Sequence, residues 1–204
     1  MANTWFTSDL HFSHTNILKY CPWNRPFADA EVMNQYLLEM WNDTVKPGDT
    51  VYFLGDFAMK FNTVLDLAPK LSGKIVWVPG NHCHIHKMHK GWEQNRQKLL
   101  KVQPNIIDIQ EQLTIGLGGV KLLLCHFPWA EDVDNHSEEH SQYGDRFKDW
   151  RPIRSKNPHR TLLFGHKHSR PEARLIKKGI EISYDSWGRM VSLEEILEIV
   201  KEQM

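Results

Sequence analysis

The chain has 204 residues, enough for one domain that buries a core without disulfides or structural metals. Lys plus Arg and Asp plus Glu each total 25, and this zero formal charge argues against long duplex nucleic acid as the main partner, because neutralising phosphates takes a basic surface. No apolar stretch approaches the roughly 20 residues of a membrane span, so a membrane protein is excluded as well.

Residues 4–8 are the first run of β-branched and aromatic residues, and they lead straight into Asp9-Leu10-His11. A helix is predicted from Asp29 through Val45, with Val32, Met33, Tyr36, Leu37, Met40 and Trp41 on one face and Pro47-Gly48 stopping it. Residues 51–54 read as a buried strand ending in Gly55-Asp56, and a shorter helix starts near Asn62 with Val64, Leu65, Leu67, Ala68 and Leu71. Residues 75–78 form a third strand and run into Pro79-Gly80-Asn81-His82. Residues 113–117 and 120–124 flank Gly118-Gly119, a two-residue hairpin signal, and the second arm leads through Cys125 to His126. Residues 130–160 are polar, with several Trp, His and Arg, and a loop of that length points to a functional lid. Residues 161–164 are the next strand and end in Gly165-His166-Lys167-His168. A second hairpin is expected from residues 174–176 and 180–184 around Lys177-Lys178-Gly179. The last helix opens on a capping box, Ser192 with Glu195, and carries Leu193, Ile196, Leu197 and Val200 inward. These elements predict two mixed sheets with helices outside, the second half being the more antiparallel.

Five of the strands share one property: each ends in a residue able to hold a metal. In open α/β sheets, ligands bind beyond the carboxyl ends of the strands. The five ends offer Asp9, His11, Asp56, Asn81, His126, His166 and His168. This set is too large for one tetrahedral ion and suits two ions of higher coordination, with Asp56 as the shared carboxylate and the ions about 3.5–4 Å apart. Such a pair clamps a phosphoryl group and acidifies a water between the ions. Mixed imidazole and oxygen ligands favour Mn, Fe, Zn or Ni over Mg or Ca, and manganese is the expected ion.

In this order, Asp9-Leu10-His11, Gly55-Asp56, Gly80-Asn81-His82, His126 and Gly165-His166-Lys167-His168 resemble the calcineurin-like metallophosphoesterase superfamily, and most of all its compact bacterial and phage members. The flanks agree, in residues 9–17, Arg25-Pro26-Phe27 and Leu54-Gly55-Asp56-Phe57-Ala58. The resemblance implies an α/β fold, a four-layer α/β/β/α sandwich of two mixed sheets, over residues 1–204 as one domain. It implies that Asp9, His11, Asp56 and His168 hold one ion and Asp56, Asn81, His126 and His166 the other. A hydroxide bridging the ions would attack the phosphorus, and His82 would protonate the leaving oxygen as general acid. Many members carry an acidic residue after that histidine, where this chain has Cys83.

Other positions have two readings from sequence. His14 is a helix cap or stands at the rim of the site. Arg25 binds substrate phosphate or forms a salt bridge. Arg154 and Arg160, with Arg151 and His159, belong to a solvated loop or to a lid that attracts an anionic substrate. Trp129 and Trp150 anchor that loop or stack a base. His84, His86 and His89 read as a solvated, mobile loop rather than an extra metal site.

The expected function is hydrolysis of a small, nucleotide-like phosphodiester, with a phosphomonoesterase or nucleotide phosphatase as the alternative. A nuclease stands further off, because a neutral chain offers little surface to hold a duplex, and so does a non-catalytic scaffold on this fold, since no expected ligand position has decayed. No protein partner is evident. A start without basic or apolar leader regions and three widely spaced cysteines (Cys21, Cys83, Cys125) lead to an expected cytoplasmic location.

Overall fold

The computed structural model describes residues 2–132, 140–141 and 144–203 of the chain. Strand β1 (Thr4–Thr7) is followed by a single helical turn, α1 (Ile17–Tyr20), and by α2 (Ala30–Thr44). Next come β2 (Thr50–Phe53), α3 (Phe61–Leu67), β3 (Lys74–Trp77), α4 (Trp92–Val102) and β4 (Ile106–Ile109). The hairpin β5 (Gln112–Leu117) and β6 (Val120–Cys125) precedes a short ribbon, β7 (His140–Ser141) with β8 (Gly144–Asp145). Strand β9 (Thr161–Phe164), the hairpin β10 (Leu175–Ile176) and β11 (Gly179–Glu181), the turn α5 (Tyr184–Trp187), β12 (Val191–Ser192) and α6 (Leu193–Glu202) complete the chain. Two five-stranded mixed sheets result, in the orders β12-β1-β2-β3-β4 and β10-β11-β9-β6-β5.

Side-chain alternation decides how the sheets stack. Leu122 and Leu124 of β6 face an inner core with Leu163, Phe6, Leu54 and Val78, so the two sheets meet there. Leu123 and Cys125 of the same strand face the other way, against Phe127, Trp129 and Phe147. On the first sheet, Val51, Phe53, Ile75 and Trp77 turn outward to Met33, Leu37 and Trp41 of α2 and Leu99 of α4. Strands buried on both faces read as continuous apolar runs, which is why these runs were conspicuous in the sequence.

Helix α2 begins where the sequence places it. The Asp29 carboxylate accepts from the amides of Glu31 and Val32, and the helix ends before Val45. Its buried stripe is Met33, Leu37 and Trp41, whereas Val32 and Tyr36 are exposed, so the apolar face is narrower than predicted. The Ser192–Glu195 capping box forms at α6. The second half is the more antiparallel, as expected: β5, β10 and β12 and the β7–β8 ribbon pair antiparallel, although β6, β9 and β11 run parallel, whereas β1 to β4 pair in parallel throughout. The second arm of the last hairpin stops at Glu181, and Tyr184 already starts α5. Helix α4 escaped the sequence reading because it opens on Gly91 and buries only Leu99. The expected lid falls partly on residues 133–139 and 142–143, which lie outside the described residues. Among the described residues no helix is long and apolar enough to cross a membrane.

The histidines after the Gly80 turn are not a solvated loop. His86 is buried, with its ring edge-on to Trp150 at 4.5 Å and its Nδ1 accepting from the Met88 amide at 3.1 Å. His89 donates from Nε2 to the Asn81 carbonyl at 2.8 Å and stacks with His84. Burial lowers the His86 pKa to about 4. Between pH about 6.5 and about 4 the unfolded chain therefore binds a proton here that the folded chain refuses. Stability from this group is complete above the window and is lost as pH falls through it, by up to about 3 kcal/mol. Urea unfolding of wild type and His86→Gln at pH 7 and pH 4.5 checks this: the wild type should lose more stability on acidification than the variant.

Candidate metal centre

The parallel strands of both sheets deliver their carboxyl ends to one place, and seven predicted side chains meet there. Each carboxylate has one oxygen tied down and one left over. Asp9 Oδ2 accepts from Ser8 Oγ at 2.5 Å and from the His166 amide at 3.0 Å, while its Oδ1 is buried with no hydrogen-bond partner. Asp56 Oδ1 accepts from the His82 amide at 3.0 Å, and its Oδ2 lies 3.4 Å from His126 Nε2 and 4.0 Å from His11 Nε2.

The imidazoles are aimed in the same way. His126 donates from Nδ1 to the Leu54 carbonyl at 2.7 Å, which turns Nε2 toward Asp56 and to 3.0 Å from Asn81 Oδ1. His166 Nδ1 is 2.8 Å from that same Asn81 oxygen. His168 Nδ1 is 2.5 Å from Asp185 Oδ2, so its Nε2 points at Asp9 Oδ1, 3.5 Å away. Both ring nitrogens of His11 are buried without partners.

Asp9, His11 and His168 offer ligand atoms within 4.8 Å of one another, as do Asp9, Asp56 and His126, and Asn81 Oδ1 lies between His126 and His166. Around a cation with bonds of about 2.0–2.2 Å, neighbouring ligand atoms stand about 3 Å apart, close to the separations found. Orphaned buried acceptors carry a desolvation cost that a cation removes. The residues therefore fit divalent metal ions.

The carboxylates and burial pull these groups in different directions. Burial alone would raise the Asp56 pKa, but His126, His11 and His82 hold it well below the carboxylate range. Burial works against charge on His126, yet the adjacent Asp56 lifts its pKa to about 9. His11, by contrast, is pushed well below its usual value by burial and stays neutral, the state a ligand needs.

The backbone is bent to reach this arrangement. Asp9, His11, Asp56, His166 and His168 all have φ between 51° and 76°, in the left-handed region that non-glycine residues seldom enter. Two glycines let main chains approach the carboxylates: a Cβ on Gly80 would stand 2.3 Å from Asp56 Oδ1, and one on Gly165 would stand 2.2 Å from Asp9 Oδ2.

Behind the centre lies a residue the sequence did not single out. Asp185, fully buried at the start of α5, holds His168 with Oδ2 and receives both Nε and Nη2 of Arg25 at 2.7 and 3.0 Å. Arg25 also donates to the carbonyls of Asp9 and Leu10 at 2.6 and 2.9 Å. Burial would raise the Asp185 pKa, but His168 and Arg25 hold it far below the usual range. This corrects the reading of Arg25 as a substrate contact: its guanidinium is buried and engaged, and it braces two strand ends. The only sequence clue to Asp185 was an acid close to the last hairpin.

His82 opens with His11, His14 and His168 onto a cleft of about 490 Å³, whose walls also include Ile17, Tyr20, Trp23 and Lys167. His14 is thus at the rim, its ring 5.3 Å from that of His11. Cys83 does not sit beside the His82 ring. It is buried under Asp56, where its Sγ accepts from the Asp56 amide at 3.1 Å, and burial together with that carboxylate pushes the thiol up to about 12. Neither Arg154 nor Arg160 is among the described residues lining the cleft. Arg154 pairs with Asp132 over Trp129. Arg160 precedes β9, at the end opposite His166, so the strand itself carries it away from the centre. Trp129 is buried and donates to the Lys178 carbonyl at 3.1 Å, an anchor and not a stacking platform.

The chain matches the calcineurin-like phosphoesterase family over residues 2–170. It is 30% identical over 214 residues to the Gene 66 protein of Mycobacterium phage D29, an alignment covering 99% of this chain and 98% of that one. It is 39% identical over 105 residues to an uncharacterised protein of Methanocaldococcus jannaschii, covering 50% of this chain and 58% of that protein, so it spans less than two thirds of the archaeal relative. Among solved structures, a protein of unknown function from Aquifex aeolicus superposes with a TM-score of 0.67 at 26% identity, over 98% of this chain and 100% of that one. With the ligand-bearing strand ends and most of its length accounted for in this way, the chain belongs to the calcineurin-like phosphoesterase family.

Proposed function

We propose that the chain is a dinuclear phosphodiesterase acting on a small, nucleotide-like phosphodiester in the cytoplasm, with manganese as the working metal. The observation that carries this reading is the place of Asp56 Oδ2 between His11 and His126, where two ions could share it. Asp9, His11, Asp56 and His168 would hold one ion and Asp56, Asn81, His126 and His166 the other. When bound, the ions supply charge neutralisation for the phosphoryl oxygens and acidify the attacking water.

The protein contributes the rest. The Leu54 carbonyl and Asp185 fix the tautomers and aim of His126 and His168. The backbone bond from His82 to Asp56 sets the His82 ring at the cleft, where it donates a proton to the departing oxygen. Tyr20, 64% exposed, and Trp23 give the departing group a flat apolar surface, which favours a nucleoside-like alcohol. Lys167 is the one permanent cation among the described residues of the cleft, which supports a singly charged diester over a dianionic monoester. Three free, buried cysteines fit a reducing compartment.

The test is hydrolysis of bis-p-nitrophenyl phosphate beside p-nitrophenyl phosphate, with the protein resupplied with manganese. Manganese-dependent release, faster from the diester, is expected. Faster release from the monoester would move the assignment to a phosphomonoesterase, and no release with any divalent ion would remove the hydrolase reading. The Asp185 brace gives a second expectation. Asp185→Asn should weaken the ion beside His168 by about 10–100-fold while the ion beside His126 keeps its affinity, which stepwise manganese titration followed by EPR resolves.

A further inference from the structure

A second cavity, of about 610 Å³, lies at the far end of the strands that carry the metal centre. Lys121 at the start of β6, Arg160 just before β9 and Lys178 just before β11 bring three permanent cations to its wall, with His159 beside them. His126 and His166 follow the other ends of β6 and β9, so at about 3.3 Å per residue the two places stand about 15 Å apart. Among the described residues, none that lines this cavity is acidic and no carboxylate forms an ion pair with any of the four. Their internal bonds leave donors unused. Lys178 Nζ donates to the Pro158 carbonyl at 2.6 Å and Arg160 Nη1 is taken by Asn157, yet Arg160 Nε is shielded from solvent with no partner. Val120, Pro158 and Val200 supply apolar surface to the same cavity.

We propose that this cavity is a binding site for a small organic phosphate with an apolar body, of the size of a mononucleotide. Three like charges gathered in a concavity repel one another, in a chain whose overall charge is zero, and an anion placed among them turns that repulsion into attraction. A planar guanidinium beside two ammonium groups suits phosphate oxygens. The apolar wall would go unused by inorganic phosphate, and the volume falls within the range of about 300–1,000 Å³ that small-molecule sites occupy. The inference does not depend on the reaction proposed at the metal centre.

The test is an amide-resolved NMR titration of the zinc-loaded protein with AMP, and separately with inorganic phosphate and with adenosine. AMP should give saturable shifts at Lys121, Thr161, Lys178 and Gln203, distinct from any at Gly80, His82 and Gly165, and should bind more tightly than either fragment. Lys121→Glu with Arg160→Glu should weaken that binding by about tenfold or more, a charge-pair loss of at least about 1.4 kcal/mol, while hydrolysis of bis-p-nitrophenyl phosphate is unchanged. Lys121→Gln with Arg160→Gln, a milder change at these surface-reaching side chains, gives the same readout should the double glutamate fail to fold. AMP shifts confined to the metal-centre loops, or binding undiminished in the folded variant, would overturn the proposal. So would inorganic phosphate binding as tightly as AMP.

Discussion

Asp56→Asn is expected to lower bound manganese from two equivalents to less than one and to reduce hydrolysis by at least about 10³-fold. The reason is geometric. Asp56 Oδ2 stands 4.0 Å from His11 Nε2 and 3.4 Å from His126 Nε2, so one substitution removes a ligand oxygen placed between the two proposed ions. The variant should still fold, because asparagine keeps the Oδ1 acceptor that receives the His82 amide, and the packing of Cys83 beneath it is untouched. Metal content by mass spectrometry, measured with far-UV circular dichroism, separates the two effects. A folded Asp56→Asn protein that retained two equivalents and full turnover would sink the shared-carboxylate assignment.

His82→Ala is expected to keep both metals and to slow turnover of a diester with a poor leaving group by about 10²–10⁴-fold. The hydrogen bond that ties His82 to Asp56 comes from its backbone amide and survives in alanine, and its ring meets that of His11 only edge-on, at 5.7 Å. Its ring instead opens on the cleft with His14 and Lys167. The loss should shrink as the leaving group becomes more acidic, because an oxygen that departs readily as an anion needs no proton. Comparing a series of aryl and alkyl diesters tests this. An equal loss for good and poor leaving groups would rule out the general-acid role and leave His82 as a substrate-positioning group.

Some of the brace around this centre was beyond any local reading. Arg25 and Asp185 are 160 positions apart, and no periodicity or spacing links them. The sequence kept two options for Arg25, and its burial chose the salt bridge. Arg160 illustrates the converse. It belongs to a basic cluster shortly before a ligand-bearing strand, yet that strand starts at Thr161 and carries its ligands at the other end. Proximity in sequence to a functional strand says nothing about which end of it a residue occupies. His86 likewise reads as one of several polar loop histidines, while the tertiary packing of Trp150 and Phe127 encloses it.

The sequence by itself determined the strands that end in metal-capable residues, the N-cap of α2 at Asp29, the hairpin at Gly118-Gly119 and the capping box at Ser192. These are set within a few residues by strand alternation, by capping of free backbone amides and by the turn chemistry of glycine. The tertiary structure decided which ligand oxygens are tied and which face a cation, where the parallel strands lie in the second sheet, and whether each arginine serves the metal centre, the brace or a remote cavity. Those outcomes depend on burial and on ion pairs between residues far apart in the chain, which local pattern does not encode.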